Sequence, residues 1–262
     1  MEVIVVENGS DGDLRPLLKP YLKKFSRFTH IYLNQVGANL ARNAGLARAT
    51  GQWIYFIDDD CQIPEAWSLH SFRELSRRNP NVSGFGGYYQ ACLRAPFSAR
   101  YYNSMCNLWL RSFQEASGRS LRLLGGNSIY RASLFSGDCK FRQEIVYGGS
   151  ESELQARMVE RGATFLLSDQ LNIIHSPDFG WWAIFQRAWA QSANRARYPE
   201  IRKKRSSLSL ESKSMRAMDL IWLLALVPYF VVGKISFYST KALVFLGSPR
   251  GARTSCLEDR AG

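Results

Sequence analysis

Residues 53–57, Trp-Ile-Tyr-Phe-Ile, run without a break into Asp58, Asp59 and Asp60. A short run of aromatic and β-branched residues suits a strand covered on both faces. The carboxylates that follow fall at the strand's carboxyl end, where open α/β sheets place their ligands. On extended chain, side chains two residues apart point the same way, so Asp58 and Asp60 can share a target. Like charges this close repel unless something positive lies between them. A hard divalent cation takes oxygen ligands and fills that role. The plainer alternative is an acidic strand-to-helix turn, with Pro64 in the first turn of the next helix.

The residues upstream favour a phosphate-binding architecture. Residues 3–6 read as a buried parallel strand, ended by the turn cluster Asn8-Gly9-Ser10-Asp11-Gly12. A helix over 14–25 and a short strand over 31–33 follow. Residues 37–49 read as a glycine-bearing loop feeding a helix. Its amino end, with Arg42, suits a diphosphate through backbone N–H groups and the guanidinium. The alternative makes Arg42 an ordinary surface residue.

Downstream, residues 65–78 read as a helix with Leu69, Phe72 and Leu75 at core spacing. Residues 82–89 are glycine-rich and strand-like. Phe97, Tyr101, Met105, Leu108 and Trp109 recur at helical spacing, which reads as core more than as a sugar platform. Ser150 and Glu153 have the spacing of a capping box, opening a helix that Gly162 closes. That assignment gives Glu153 a structural task and leaves Glu151 without one. Residues 164–167 and 171–174 read as short strands, and His175 follows the second.

A chain of 262 residues, 46% hydrophobic and 13% aromatic, has enough apolar side chain for a full core. Whole-chain disorder is excluded on that composition. The net charge of +12 asks for an anionic partner. Cys61, Cys92, Cys106, Cys139 and Cys256 are scattered, odd in number and without C-x-x-C spacing. They read as free thiols in a reducing compartment. No secretory signal precedes the first expected strand.

Nine Lys and Arg against two Glu lie between 187 and 216, which is +7 of the +12. Residues 220–232 are uncharged and apolar, and 235–246 continue the pattern, interrupted by Lys241. Neither run reaches the ~20 residues of a straightforward spanning helix. Basic and then aromatic-rich apolar sequence suits the cytoplasmic face of a membrane. The alternative is a helical hairpin packed on the domain. The expected organisation is a catalytic domain over 1–185, a basic juxtamembrane segment over 186–218, membrane-associated apolar helices over 219–247 and a disordered tail over 248–262. A nucleic-acid binder is disfavoured, because the excess charge sits in one segment beside apolar sequence and no RNA or DNA motif is visible.

Four stretches in order resemble the inverting family-two glycosyltransferases: residues 2–10, residues 39–51, the strand with Asp58–Asp60, and Gly148-Gly149-Ser150-Glu151 with Arg157. The resemblance implies a three-layer α/β fold of the glycosyltransferase A type, with a mostly parallel central sheet. It implies a nucleotide-diphosphate sugar as donor, a divalent cation (Mn2+ or Mg2+), and single-displacement transfer to a hydroxyl of a glycan or lipid-linked acceptor. It assigns the nucleotide base to Glu7, the diphosphate to Arg42, and the donor and metal to Asp58, Asp59 and Asp60. On the same resemblance the strand holding Gly126 and Asn127 would border donor sugar and acceptor, and His175, which by itself reads more often as a satisfied core histidine, would be a third metal ligand. The resemblance implies that Glu151 is the general base. Two departures stand out. The acidic pair of the family has become Ser150-Glu151, and a central strand that the family carries before residue 2 is expected but not seen in this sequence. An inactive relative that only docks a partner therefore stays as an alternative.

Overall fold

The computed structural model describes residues 1–198, apart from 11, 66, 93, 147 and 179, together with 231, 232, 234–236 and 238–240. In chain order the first half runs β1 (Val3–Asn8), α1 (Arg15–Lys24), β2 (Phe28–Leu33), α2 (Ala38–Arg48), β3 (Trp53–Ile57), β4 (Cys61–Gln62), α3 (Leu69–Arg78), β5 (Gly84–Gly86) and β6 (Tyr89–Gln90). The second half runs α4 (Phe97–Arg111), β7 (Arg119–Ser120), β8 (Asn127–Arg131), α5 (Ser150–Glu160), β9 (Phe165–Leu167), β10 (Ile173–His175) and α6 (Trp181–Arg197).

The strands make three sheets. β1 and β2 pair in parallel, β3-β8-β5-β9-β7 form the main sheet, and β4-β10-β6 form a small third one. Alternation along the main strands divides the core. Trp53, Tyr55, Phe85, Ile129 and Leu166 face Phe72 of α3, whereas Phe56, Tyr130, Phe165 and Leu167 join Leu110 of α4 and Leu154 and Met158 of α5. Successive residues of one strand point to opposite faces, so the sheet is a middle layer with helices on both sides.

The main sheet is mixed and not mostly parallel, because β5-β9 is parallel while β3-β8, β5-β8 and β7-β9 are antiparallel. An unbroken apolar strand reports cover on both faces, and that cover is indifferent to strand direction. Most of β1 and residues 53–56 of β3 are half-buried and Ile57 is exposed, short of the full burial their composition suggests. Among the described residues each pairs along one edge only, β1 with β2 and β3 with β8.

The third helix begins at Leu69, not at 65. Ser68 caps it, its hydroxyl accepting from the Ser71 N–H at 3.0 Å. Residues before it are held elsewhere: Cys61 and Gln62 belong to β4, and Trp67 stacks on Tyr55 at 5.5 Å. In α4, Tyr101 and Met105 are buried as the spacing suggests, packing with Ile184 of α6, while Phe97 at the end of the stripe is exposed.

α6 runs through the expected boundary after residue 185. Residues 199–230 and 241–262, with most of the basic segment, much of the apolar stretch and the tail, lie outside the described residues. The described positions between 231 and 240 are helical, and Ser236 donates to the Trp189 carbonyl of α6 at 2.8 Å. Among the described residues no helix is long and apolar enough to cross a membrane.

Candidate active site

β3 ends at Ile57 and the chain turns at once, the Cys61 N–H donating to the Asp58 carbonyl at 3.1 Å. This tight turn separates the three aspartates. Asp58 faces α2, Asp60 faces β10, and Asp59 between them is exposed.

Asp58 meets Arg42, whose Nη2 lies 3.2 Å from Oδ1. The other terminal nitrogen of Arg42 lies 2.8 Å from Glu151 Oε1, in the first turn of α5. One guanidinium therefore bridges carboxylates from two separate elements. Its plane is backed by the Phe141 ring, 5.4 Å from the centroid. Burial by itself would weaken the Arg42 charge, but Glu151 and Asp58 outweigh it and hold the pKa above its ordinary value. Burial pushes the Asp58 carboxyl up, and Glu151 and Asp60 add to that against the pull of Arg42.

Gly125 and Gly126, just before β8, form the floor beneath these carboxylates. A Cβ on Gly126 would stand 2.4 Å from Asp58 Oδ2, and one on Gly125 2.6 Å from Glu151 Oε1. The carboxylates can approach only because both positions lack a side chain. The Gly126 N–H donates to the Tyr89 hydroxyl at 3.2 Å.

Asp60 belongs to a second cluster. Its Oδ2 lies 3.3 Å from His175 Nε2, and the Ser176 N–H donates to its carbonyl at 2.9 Å. Cys61 and His175 are register partners across the antiparallel β4-β10 pair. Asp60, Cys61 and His175 bring three ligand-type atoms within 4.8 Å of one another. The imidazole is 5% exposed, stacked on Tyr89 at 4.1 Å, with Nδ1 against Asn103 Oδ1. Asn103 Nδ2 donates to the His175 carbonyl at 2.8 Å, which fixes the amide's orientation. The Nδ1 side of a neutral imidazole must then carry the proton, leaving a bare Nε2 lone pair aimed at a carboxylate oxygen. Two acceptors in that arrangement need a cation between them, either a proton or a metal ion. Burial raises the Asp60 pKa, but the contact with His175 outweighs it and the net shift is downward.

The other expected site residues are placed differently. Asp58 is not part of the Asp60–His175 cluster. Asn127 is fully buried: its Oδ1 accepts from the Tyr55 hydroxyl at 3.0 Å and its Nδ2 donates to the Leu171 carbonyl at 2.8 Å. Those two bonds join β3, β8 and the segment before β10, so the Asn127 side chain serves the scaffold. Glu7 is buried near the end of β1, 2.9 Å from His30 Nε2 of β2. Its neighbour Asn8 accepts the Gly37 N–H at 2.6 Å and donates to the Gln35 carbonyl, fastening β1 to the entrance of α2. That entrance has no side-chain cap and no acid in the first helical turn. Gln35 to Leu40, with Gln143, Ile145 and Val146, line a cavity of about 390 Å³ there.

Glu153 and Ser150 do not form the expected capping box. Gly149, at φ 87°, is the residue before the helix, and no side chain caps it. Glu153 is fully buried, with Arg157 Nε at 2.7 Å and Arg142 Nε at 2.8 Å. Tyr89, Asn103 and Phe141 escaped the sequence reading, since each contacts the site through a partner far along the chain. Cys61 had a local signal, its place directly after the aspartates.

Residues 1–136 match the family described as glycosyl transferase family 2. The uncharacterised glycosyltransferase EpsJ of Bacillus subtilis (strain 168) is 27% identical over 97 residues, 37% of this chain and 28% of that protein. The chain thus spans well under two thirds of that relative. Among solved structures, the mannosyltransferase PcManGT from Pyrobaculum calidifontis, in complex with GDP-Man and Mn2+, superposes with a TM-score of 0.57 at 14% identity, covering 97% of this chain and 67% of that one. S. aureus TarS 1-349 in complex with UDP gives a TM-score of 0.52 at 13% identity, covering 98% and 85%. At these identities the likeness establishes the glycosyltransferase A-type fold.

Proposed function

Since the chain belongs to glycosyl transferase family 2, we propose that it moves a sugar from a nucleotide-diphosphate donor to an acceptor hydroxyl, with inversion at the transferred carbon. One observation carries the reading. Glu151 and Asp58 converge on Arg42 above a two-glycine floor, and Asp60, in the same turn as Asp58, pairs with His175.

The uncapped α2 entrance and its cavity receive the nucleotide diphosphate, with backbone N–H groups toward the phosphates. Arg42 lies on the same helix and supplies the fixed positive charge, its position set by Phe141. Asp58 orients the donor. The floor at Gly125 and Gly126 leaves room for the transferred sugar. Glu151 takes the proton of the acceptor hydroxyl as that oxygen bonds to the anomeric carbon. The bond from that carbon to the diphosphate breaks, and the diphosphate leaves with the electron pair. Asp60 and His175 fit a divalent ion, because a carboxylate oxygen and an imidazole nitrogen, both ligand types for such an ion, face each other at 3.3 Å. Such an ion supplies Lewis-acid stabilisation to a leaving diphosphate. The GDP-Man and Mn2+ bound by one structural neighbour and the UDP bound by the other support this donor class and a divalent ion.

Titration of UDP and GDP with and without Mn2+, in the parent and in Asp60→Ala, tests the reading. The expected result is that Mn2+ tightens binding in the parent and no longer does so in Asp60→Ala. Equal affinity in all four cases overturns it.

The acceptor is proposed to lie at the cytoplasmic membrane face, in polysaccharide, glycolipid or cell-envelope synthesis. Support comes from the basic and then apolar sequence and from an inverted helix face. In the described part of 231–240, Ser236 and Thr240 are buried while Val231, Ile235 and Tyr238 are exposed. The full chain is expected to sediment with anionic vesicles and to be released by salt. A chain that ignores such vesicles at low salt excludes this location.

A further inference from the structure

The transferase reading uses Asp60 and His175 and gives Cys61 no task. Cys61 is half-buried directly after Asp60, with its sulfur 3.7 Å from Asp60 Oδ1. In an antiparallel pair, register partners project to the same face of the sheet. Cys61 and His175 are such partners, so the thiol is carried to the face on which Nε2 is presented. The three ligand-type atoms lie within 4.8 Å of one another, close enough for one ion to reach all of them.

The frame around them is built and fixed. His175 is clamped through its ring by Tyr89, through Nδ1 by Asn103 and through its carbonyl by the same Asn103. A metal-ligating histidine usually donates its other ring N–H to an oxygen acceptor, which fixes its tautomer, and the Asn103 amide oxygen is placed to accept it. Asp60 is fixed through its carbonyl by the Ser176 N–H, at 2.9 Å. Little has to move for an ion to enter, and the entrance is the exposed side of Asp60, whose side chain is 35% accessible.

We propose that Cys61 is a third protein ligand of this site, making it a carboxylate–imidazole–thiolate centre that favours a borderline-soft divalent ion such as Zn2+ or Co2+ over Mg2+. The inference rests on the transferase reading for what the ion does, but its chemistry stands on these side chains alone. Sulfur ligands select later first-row ions, whereas Mg2+ takes an octahedron of hard oxygens and is reluctant to lose its waters. On binding, the thiol proton leaves to solvent and the sulfur donates as thiolate. Three protein ligands leave room on a four- to six-coordinate ion for a diphosphate oxygen.

The experiment uses the full chain, without nucleotide. Cd2+ is titrated while the ultraviolet thiolate-to-cadmium charge-transfer band is followed, in the parent, Cys61→Ser and Cys92→Ser. Cys92 is exposed and serves as the control thiol. The band is expected in the parent and in Cys92→Ser and is lost in Cys61→Ser. Zn2+ affinity is expected to fall about tenfold or more in Cys61→Ser, the scale on which ligand-sphere changes act, with Mg2+ affinity unchanged. A second measurement needs no variant. Zn2+ should slow alkylation of Cys61, read by peptide mass, without slowing that of Cys92, and Mg2+ should slow neither. A full band in Cys61→Ser, or alkylation of Cys61 at the same rate with and without Zn2+, overturns the proposal. If the Cys61 result stands while UDP and GDP fail to bind, the metal centre is retained and the transferase reading is what falls.

Discussion

Glu151→Gln is expected to keep nucleotide-diphosphate affinity and to lose turnover by ~10²–10⁴-fold, the usual worth of a positioned base. The substitution is nearly isosteric, which matters here for a specific reason. Glu151 sits so close to the floor that a Cβ on Gly125 would be 2.6 Å from its Oε1. Glutamine fits the same space and still offers Arg42 an oxygen at the position now 2.8 Å from Nη1. What it lacks is the capacity to take a proton. The approach of α5 is set by two successive left-handed glycines, Gly148 at φ 72° and Gly149 at φ 87°. A side chain at Gly148 would also collide with Gln191 of α6, at 2.7 Å. The backbone thus commits the first turn of α5 to this place, and Glu151 with it. Separate measurement of kcat and of UDP or GDP binding decides the matter. Turnover at the parental rate in Glu151→Gln removes it as the base.

The distance between sequence and structure at this site follows the range of the signals. β3 and its aspartates were legible because composition and carboxylates are contiguous along the chain. The α2 entrance was legible for the same reason, from glycine and Arg42 within a few residues. Contacts made across the sheet were not. Asn127 stands in a glycine-flanked strand of the right kind, yet its side chain is claimed by Tyr55 and by the Leu171 carbonyl, 44 residues away. Asn103 looks like one polar position on an amphipathic helix until β10 brings His175 to it. Strand direction was equally hidden. The core-facing residues of β5 and β8 would read the same in either direction, and only the register, with Gly84 against Tyr130 and Gly86 against Ser128, shows the pair to be antiparallel. The role of Arg42 was half visible. A glycine-bearing loop feeding a helix placed Arg42 near the strand with the aspartates, but nothing local showed that its guanidinium would hold Glu151, more than a hundred residues on.

Glu153→Gln is expected to cost about 3–5 kcal/mol of stability, as the loss of one partner from a buried ion pair does, and not the ~1 kcal/mol of a lost helix cap. The Ser150-x-x-Glu153 spacing suggested the smaller figure, but it is a pattern of neighbours and takes no account of what arrives from elsewhere. Glu153 is 0% exposed and faces two guanidiniums. Arg157 binds it through both Nε and Nη2, at 2.7 and 2.8 Å, and Arg142 adds a third contact at 2.8 Å. Glutamine turns an N–H₂ group toward these cations and removes the charge that balances them. Arg142 is 43% exposed and can turn to solvent, which places the expected loss toward the lower end of the range. Arg157, at 14% exposure, is more confined. It also donates to the Lys140 carbonyl at 2.6 Å, so the ion pair fastens α5 to the segment carrying Phe141, the ring beneath Arg42. Loosening that segment is expected to weaken donor binding as well, which separates this variant from Glu151→Gln. Denaturant unfolding checks it: the midpoint should fall with little change in slope. A loss of about 1 kcal/mol or less would mean that both arginines find full compensation in water, and that Glu153 is not what holds α5 to the floor of the site.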